Sequence, residues 1–161
     1  MSKAAEKLAK RLTTEGIKTV EYFSELPSDI WEKPLYSEGA SWNVRQVLAH
    51  IVETETALPR LFKHIVEGGS GVDRDFDLNE YNERTVEEIT ERDPAKLVSM
   101  FSERREETIK FVGGLSDKDL GMEGYHPFLG QAEIKEMIRL FYLHVQLHMR
   151  DVRALGQREQ E

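Results

Sequence analysis

Apolar residues return every three to four positions through four long stretches of the chain, and each stretch predicts an amphipathic helix. The first runs from about residue 3 to 23 on Ala4, Ala5, Leu8, Leu12, Ile17, Val20 and Phe23, and is weakened by Thr13, Thr14 and Gly16. The second runs from about Asn43 to Glu67, with Ser41 or Asn43 as its cap and Val44, Val47, Leu48, Ile51, Leu58, Leu61, Phe62 and Ile65 as its stripe. Gly68-Gly69-Ser70-Gly71 stops it, and Pro59 predicts a kink or a lost hydrogen bond near Glu55. The third begins at Asp93-Pro94, a cap followed by a proline at the first helical position, and ends at Gly113-Gly114. The fourth, Ile134 to Leu155, contains no proline or glycine.

The links are polar. A helical turn is expected around Ile30 and Trp31, followed by an irregular connection through Ser37-Glu38-Gly39. Asp73 to Leu78 reads as an acidic loop, Asn79 to Thr90 as a short polar helix, and Ser116 to Leu120 as a turn. Gly121 to Gly130 reads as a loop carrying His126-Pro127, and no stretch has the alternation of a strand. The expected fold is all-α: a four-helix bundle with short extra helical turns, forming one domain over residues 1–161.

Composition narrows the function. There is no cysteine, which removes disulfides, thiolate metal sites and cysteine nucleophiles. A net charge of −8 argues against a nucleic-acid partner. The first residues lack the apolar core of a signal peptide, and no run approaches a membrane span. A soluble, cytoplasmic protein is expected, with no membrane partner.

The fourth helix breaks its own pattern. Its seam is Ile134, Met137, Phe141, His144, His148, Asp151 and Leu155, so ionisable groups replace oily ones where a core is expected. Such groups are costly to bury unless something pairs with them. His144 and His148 stand one turn apart on one face, where a single metal ion can meet both. His50, on the edge of the second stripe, falls at the same level if the two helices are antiparallel. His64 lies fourteen residues further on, about 21 Å along a helix. His126 precedes His144 by eighteen residues and is also placed outside the site. Three imidazoles suit one Zn²⁺, Ni²⁺ or Fe²⁺ ion. Asp151, Glu53 and Gln146 are candidates to orient the rings, Asp151 foremost because it shares the seam. Glu21, Glu25, Glu53 and Glu55 offer carboxylates, but no Glu-x-x-His pair is present, which speaks against a di-iron bundle. The rival reading is that these are hydrogen-bonded core histidines.

Trp42-Asn-Val-Arg-Gln-Val-Leu-Ala-His50-Ile-Val-Glu-Thr-Glu55 resembles the second-helix pattern of the DinB-like family of four-helix-bundle proteins. Tyr125-His-Pro-Phe-Leu-Gly-Gln131, followed by His144-Val-Gln-Leu-His148, resembles its fourth-helix pattern. The resemblance extends from the first helix to Arg153. It implies that His50, His144 and His148 bind one divalent metal. It also implies chemistry with a low-molecular-weight thiol such as bacillithiol or mycothiol, and a homodimer. The expected activity is S-transfer to a small electrophilic substrate. A metal-dependent hydrolase on the same three histidines and a non-catalytic stress or interaction bundle are the alternatives. Arg45, Arg150 and Arg153 are candidates to hold a carboxylate of the thiol or substrate.

Overall fold

The computed structural model describes residues 2–36, 41–89 and 91–160, and for 159 and 160 the backbone alone. Its long helices are α1 (Lys3–Ser24), α2 (Val44–Val66), α4 (Pro94–Gly113) and α6 (Ile134–Gln160); α3 (Leu78–Glu88) and α5 (Asp117–Leu120) are short. The all-α four-helix bundle is the architecture found. Ser37, Glu38 and Gly39 of the expected irregular connection, and Thr90, lie outside the described residues.

The caps act as their residue types require. Asn43 and Gln46 form a reciprocal capping box, and the Asp93 side chain accepts from the Ala95 N–H with Pro94 in the first turn. Helix α2 continues through Pro59. Proline has no N–H, so the Glu55 carbonyl loses its helical donor there.

Around the bundle the order is α1, α4, α2, α6, so α1 and α2 are diagonal rather than adjacent. Helices α2 and α6 run antiparallel. Phe62, late in α2, meets Phe141, early in α6, with ring centroids 5.9 Å apart, while His50, early in α2, meets His144 and His148 further along α6. Two apolar clusters fill the interior. One gathers Phe23, Trp31, Val47, Leu48, Leu97, Phe101 and Val152; the other Leu12, Phe62, Ile65, Met137, Ile138 and Phe141. On α6 the buried stripe also takes in Val145, Met149 and Val152. It is therefore broader than the seam suggests, and His144, His148 and Asp151 fall on its half-buried flank.

One element departs from expectation. Residues 123–130, read as a loop, form with the three that follow an antiparallel hairpin, β1 (Glu123–His126) with β2 (Gly130–Glu133), in the register Glu123↔Glu133 to His126↔Gly130. The loop after α2 adds to it: Tyr125 N–H donates to the Ser70 carbonyl and Val72 N–H to the Tyr125 carbonyl, both at 2.9 Å. Gly71, at φ +98°, makes this crossing possible, because a Cβ there would stand 2.3 Å from the Tyr125 nitrogen. Gly124 lies against Ile65, which a Cβ would meet at 2.5 Å. The hairpin is thereby fixed against the C-terminal end of α2, and it carries His126 into the interior.

Candidate metal centre

His50 is buried in the second turn of α2, with the Trp42 ring 4.9 Å from its own. His144 and His148 leave α6 one turn apart. The three rings converge through one kind of atom. His144 Nε2 lies 3.2 Å from His50 Nε2 and 2.9 Å from His148 Nε2, and one nitrogen from each ring lies within 4.8 Å of the others. Three nitrogens bound tetrahedrally to one ion at about 2.0–2.1 Å stand about 3.3 Å from one another, so this spacing fits such a donor set. Among the described residues no other group of His, Asp or Glu meets the same test.

Electrostatics favour ligation. Burial holds His50 well below its ordinary value; burial also lowers His144 to about 3 and His148 to about 4. All three are neutral at pH 7, the state in which imidazole binds a cation. His50 Nδ1 and His144 Nδ1 are buried without a protein partner. Buried polar atoms are ordinarily paired, and a cluster of hydrogen-bonded core histidines leaves these two nitrogens unexplained.

Asp151 reaches the site through a residue that sequence reasoning missed. Tyr36 Oη donates to Asp151 Oδ2 at 2.6 Å and lies 2.9 Å from His148 Nδ1. With its own proton directed at Asp151, the phenol accepts from His148 Nδ1–H, which leaves Nε2 of that ring bare. Burial, and then the carboxylate, push the Tyr36 hydroxyl above its ordinary value, so it stays protonated. Tyr36 sits at the edge of the patternless connection before α2, where no periodicity marks it.

Glu53 faces elsewhere. Its Oε1 accepts from Tyr81 Oη at 3.2 Å, and its side chain lines a cavity of about 480 Å³ beside the histidines. His50 and His144 form part of one wall of this cavity. Leu58, Leu61, Phe76, Leu140 and Phe141 make it predominantly apolar. Glu55 is withdrawn from any carboxylate centre. Arg105 Nε and Nη2 meet its two oxygens at 3.0 and 2.5 Å, and both side chains are buried.

The exclusion of His126 from the neighbourhood needs correction. A chain counted straight from His126 to His144 is too long, but the hairpin folds it back, and His126 lines the same cavity. It is not in the three-nitrogen group. His64 is exposed and remote, as expected. None of the three arginines is among the cavity residues. Arg45 pairs with Glu32, Arg150 with Asp151, and Arg153 lies over the Tyr22 ring.

The sequence pattern of the DinB superfamily matches residues 3–152. The chain belongs to the DinB superfamily. No curated protein matches it at the sequence level. Among solved structures, this DinB chain is similar to YfiT from Bacillus subtilis, described as a probable metal-dependent hydrolase with an unusual four-helix bundle topology. The TM-score is 0.79 at 19% identity, over 99% of this chain and 90% of that one. It is also similar to a mycothiol-dependent maleylpyruvate isomerase, with a TM-score of 0.73 at 13% identity over 94% of this chain and 63% of that one. A third likeness is to the colibactin self-resistance protein ClbS, crystallised with double-stranded DNA, with a TM-score of 0.69 at 14% identity over 98% and 96% of the two chains. At these identities the likeness establishes the fold. Since the fold occurs in a protein bound to DNA, a charge of −8 does not by itself exclude a nucleic-acid partner for this DinB chain. Among the described residues no helix is long and apolar enough to cross a membrane.

Proposed function

We propose that the chain binds one divalent metal ion, zinc, nickel or iron, through Nε2 of His50, His144 and His148. On this reading it acts as a metal-dependent enzyme of the S-transferase type, which joins a low-molecular-weight thiol through its sulfur to a small electrophile while the thiol gives up its S–H proton. The observation that carries the reading is the convergence of three neutral imidazole nitrogens, 2.9–3.2 Å apart through His144, at the wall of an apolar cavity. Three protein ligands leave coordination positions for an exogenous group, as in catalytic rather than structural sites. A bound ion supplies Lewis acidity, which lowers the pKa of a thiol or a water at neutral pH.

The chain's own residues do the rest. His148 is held in its Nδ1–H tautomer by Tyr36 and Asp151, and Trp42 packs on His50. The cavity excludes water around an apolar substrate, while Glu53, held by Tyr81, gives its wall a proton acceptor. The chain has no cysteine, so the sulfur must come from the thiol.

Metal analysis of the purified protein tests the site: one equivalent of divalent ion is expected, and none after His50, His144 and His148 are all replaced by alanine. Unchanged metal content in that variant refutes the assignment. With Co²⁺ in the site, bacillithiol or mycothiol should shift the visible absorption; no shift with either removes the basis for thiol transfer. A metal-dependent hydrolase is the second reading, favoured by the Glu53 carboxylate in the same cavity. Metal-dependent turnover of an ester without thiol, lost in Glu53→Gln, would select it.

A further inference from the structure

The cavity beside the histidines carries charge of one sign. Among the described residues that line it, Glu53 is the one formally charged side chain, and no lysine or arginine stands with it. Burial keeps the imidazoles of His50, His126 and His144 neutral at pH 7, so they add no positive charge. Glu53 is half-buried rather than enclosed. Its Oε1 accepts from Tyr81 Oη at 3.2 Å; its Oε2 has no hydrogen-bond partner among the described residues and is not sealed from solvent. The nearest cations are engaged outside the cavity. Arg84 pairs with Glu88 and lies 5.5 Å from the centre of the Tyr81 ring, and Arg74 lies over Tyr125.

The outer side of the same wall has the same sign. Val72, Phe76, Leu78 and Tyr81 come to the cavity from one segment. Between them Asp73, Asp75, Asp77 and Glu80 are exposed, against Arg74 alone. An anion entering such a space loses hydration and meets no countercharge, and a carboxylate in apolar surroundings repels it across several ångströms without contact. A cation also loses hydration, but it is attracted.

We propose that Glu53 selects the substrate by charge. The cavity admits apolar molecules that are neutral or carry a positive end beside Glu53 and Tyr81, amines among them, and turns away carboxylates and sulfonates. This rests on the reading of the cavity as the substrate site, and it names the class of electrophile taken there. It does not rest on the metal. Positive charge brought by an ion at the histidine wall is common to wild type and to a Glu53 variant, so it cancels when the two are compared.

The test uses three benzene derivatives of similar size: phenyltrimethylammonium, benzenesulfonate and, as the neutral probe, acetophenone. Binding to the full chain is measured by amide chemical-shift titration at pH 7 and low ionic strength, where screening is weak. It is done on wild type with one equivalent of Zn²⁺ and on the His50, His144 and His148 triple-alanine variant. The triple-alanine chain should bind the cation at least about tenfold more tightly than the anion. Glu53→Gln should lower the ratio of cation to anion affinity about tenfold in both backgrounds and alter acetophenone affinity far less. Loss of all three probes together is what a merely structural role for Glu53 would give.

Equal affinity for cation and anion in the triple-alanine chain overturns the proposal, as does an unchanged ratio in Glu53→Gln. Absence of acetophenone binding in every form removes the cavity as the substrate site, and the proposal with it. Failure of wild type to take up Zn²⁺ counts against the three-histidine reading alone, because the triple-alanine chain still reports the charge preference. If Glu53→Gln does not fold, contacts in the wild-type chain decide. The N-methyl protons of phenyltrimethylammonium should show nuclear Overhauser effects to the Tyr81 ring and the Glu53 γ protons, and their absence overturns the proposal.

Discussion

Two polar clusters interrupt the apolar interior, five residues apart on α2, and they are built in opposite ways. At Glu55 every strong group is answered. Arg105 binds both carboxylate oxygens and the Leu12 carbonyl, Thr108 adds a hydroxyl at 3.4 Å, and the guanidinium lies 4.9 Å from the Phe101 ring and 5.3 Å from that of Phe141. At His50 the buried nitrogens are not answered. Three Nε2 atoms face one another, two Nδ1 atoms have no partner, and His126 adds a third unpartnered nitrogen nearby. The first cluster joins α1, α2 and α4 and has no capacity left for a ligand. The second borders a cavity of about 480 Å³. Buried polarity marks a site when it is incomplete, because an orphaned group costs free energy that a fold would otherwise shed.

The comparison can be broken in four ways. The largest effect is expected from alanine at His50, His144 and His148 together. Metal binding should vanish by calorimetry, while the metal-free chain loses less stability than it does from one substitution at Arg105. Next is Arg105→Met, which strands the Glu55 carboxylate and should cost about 3–5 kcal/mol in urea unfolding. The double variant Glu55→Leu with Arg105→Met should recover most of that loss. If the single variant is harmless, the pair is not the structural clamp described here.

Acidification comes third. His144 (about 3), His148 (about 4) and His126 (about 4) lie below the ordinary histidine value of 6.5, so the unfolded chain binds more protons in between. Their contribution is present above pH 6.5 and is lost as pH falls toward 4. Metal-free thermal midpoints should drop through that window, and the triple-alanine variant should drop less steeply. The smallest effect is expected from Tyr36→Phe. It removes the acceptor of His148 Nδ1–H and should weaken metal affinity about 10- to 100-fold with little change in fold. An unchanged affinity would show that Tyr36 and Asp151 do not orient the ligand.

Much of this molecule is written locally. Asn43 with Gln46, Asp93 with Pro94, and the glycines after Val66 mark helix ends by chemistry that acts within four residues. The hairpin is not so marked. Its strands are four residues each and include Gly124, Gly130 and Pro127 in or between them, too short for any period to show. It is held in part by hydrogen bonds to Ser70 and Val72. Arg105 stands in the run Glu103-Arg-Arg-Glu-Glu107, which reads as a solvated face. Only the approach of α1 and α2 turns it inward.

The sequence by itself determined the four helices, the caps of α2 and α4 and the placing of His144 and His148 one turn apart, because helical period and rise are fixed by the backbone; the level of His50 beside them followed once α2 and α6 ran antiparallel. The tertiary structure decided which nitrogens converge. It also decided that Tyr36 stands between Asp151 and His148, and that His126 returns to the cavity. Those contacts span up to 115 residues of chain, and no local propensity encodes them. They exist because packing the apolar faces brings distant backbone together and leaves each buried polar atom with whatever partner lies there.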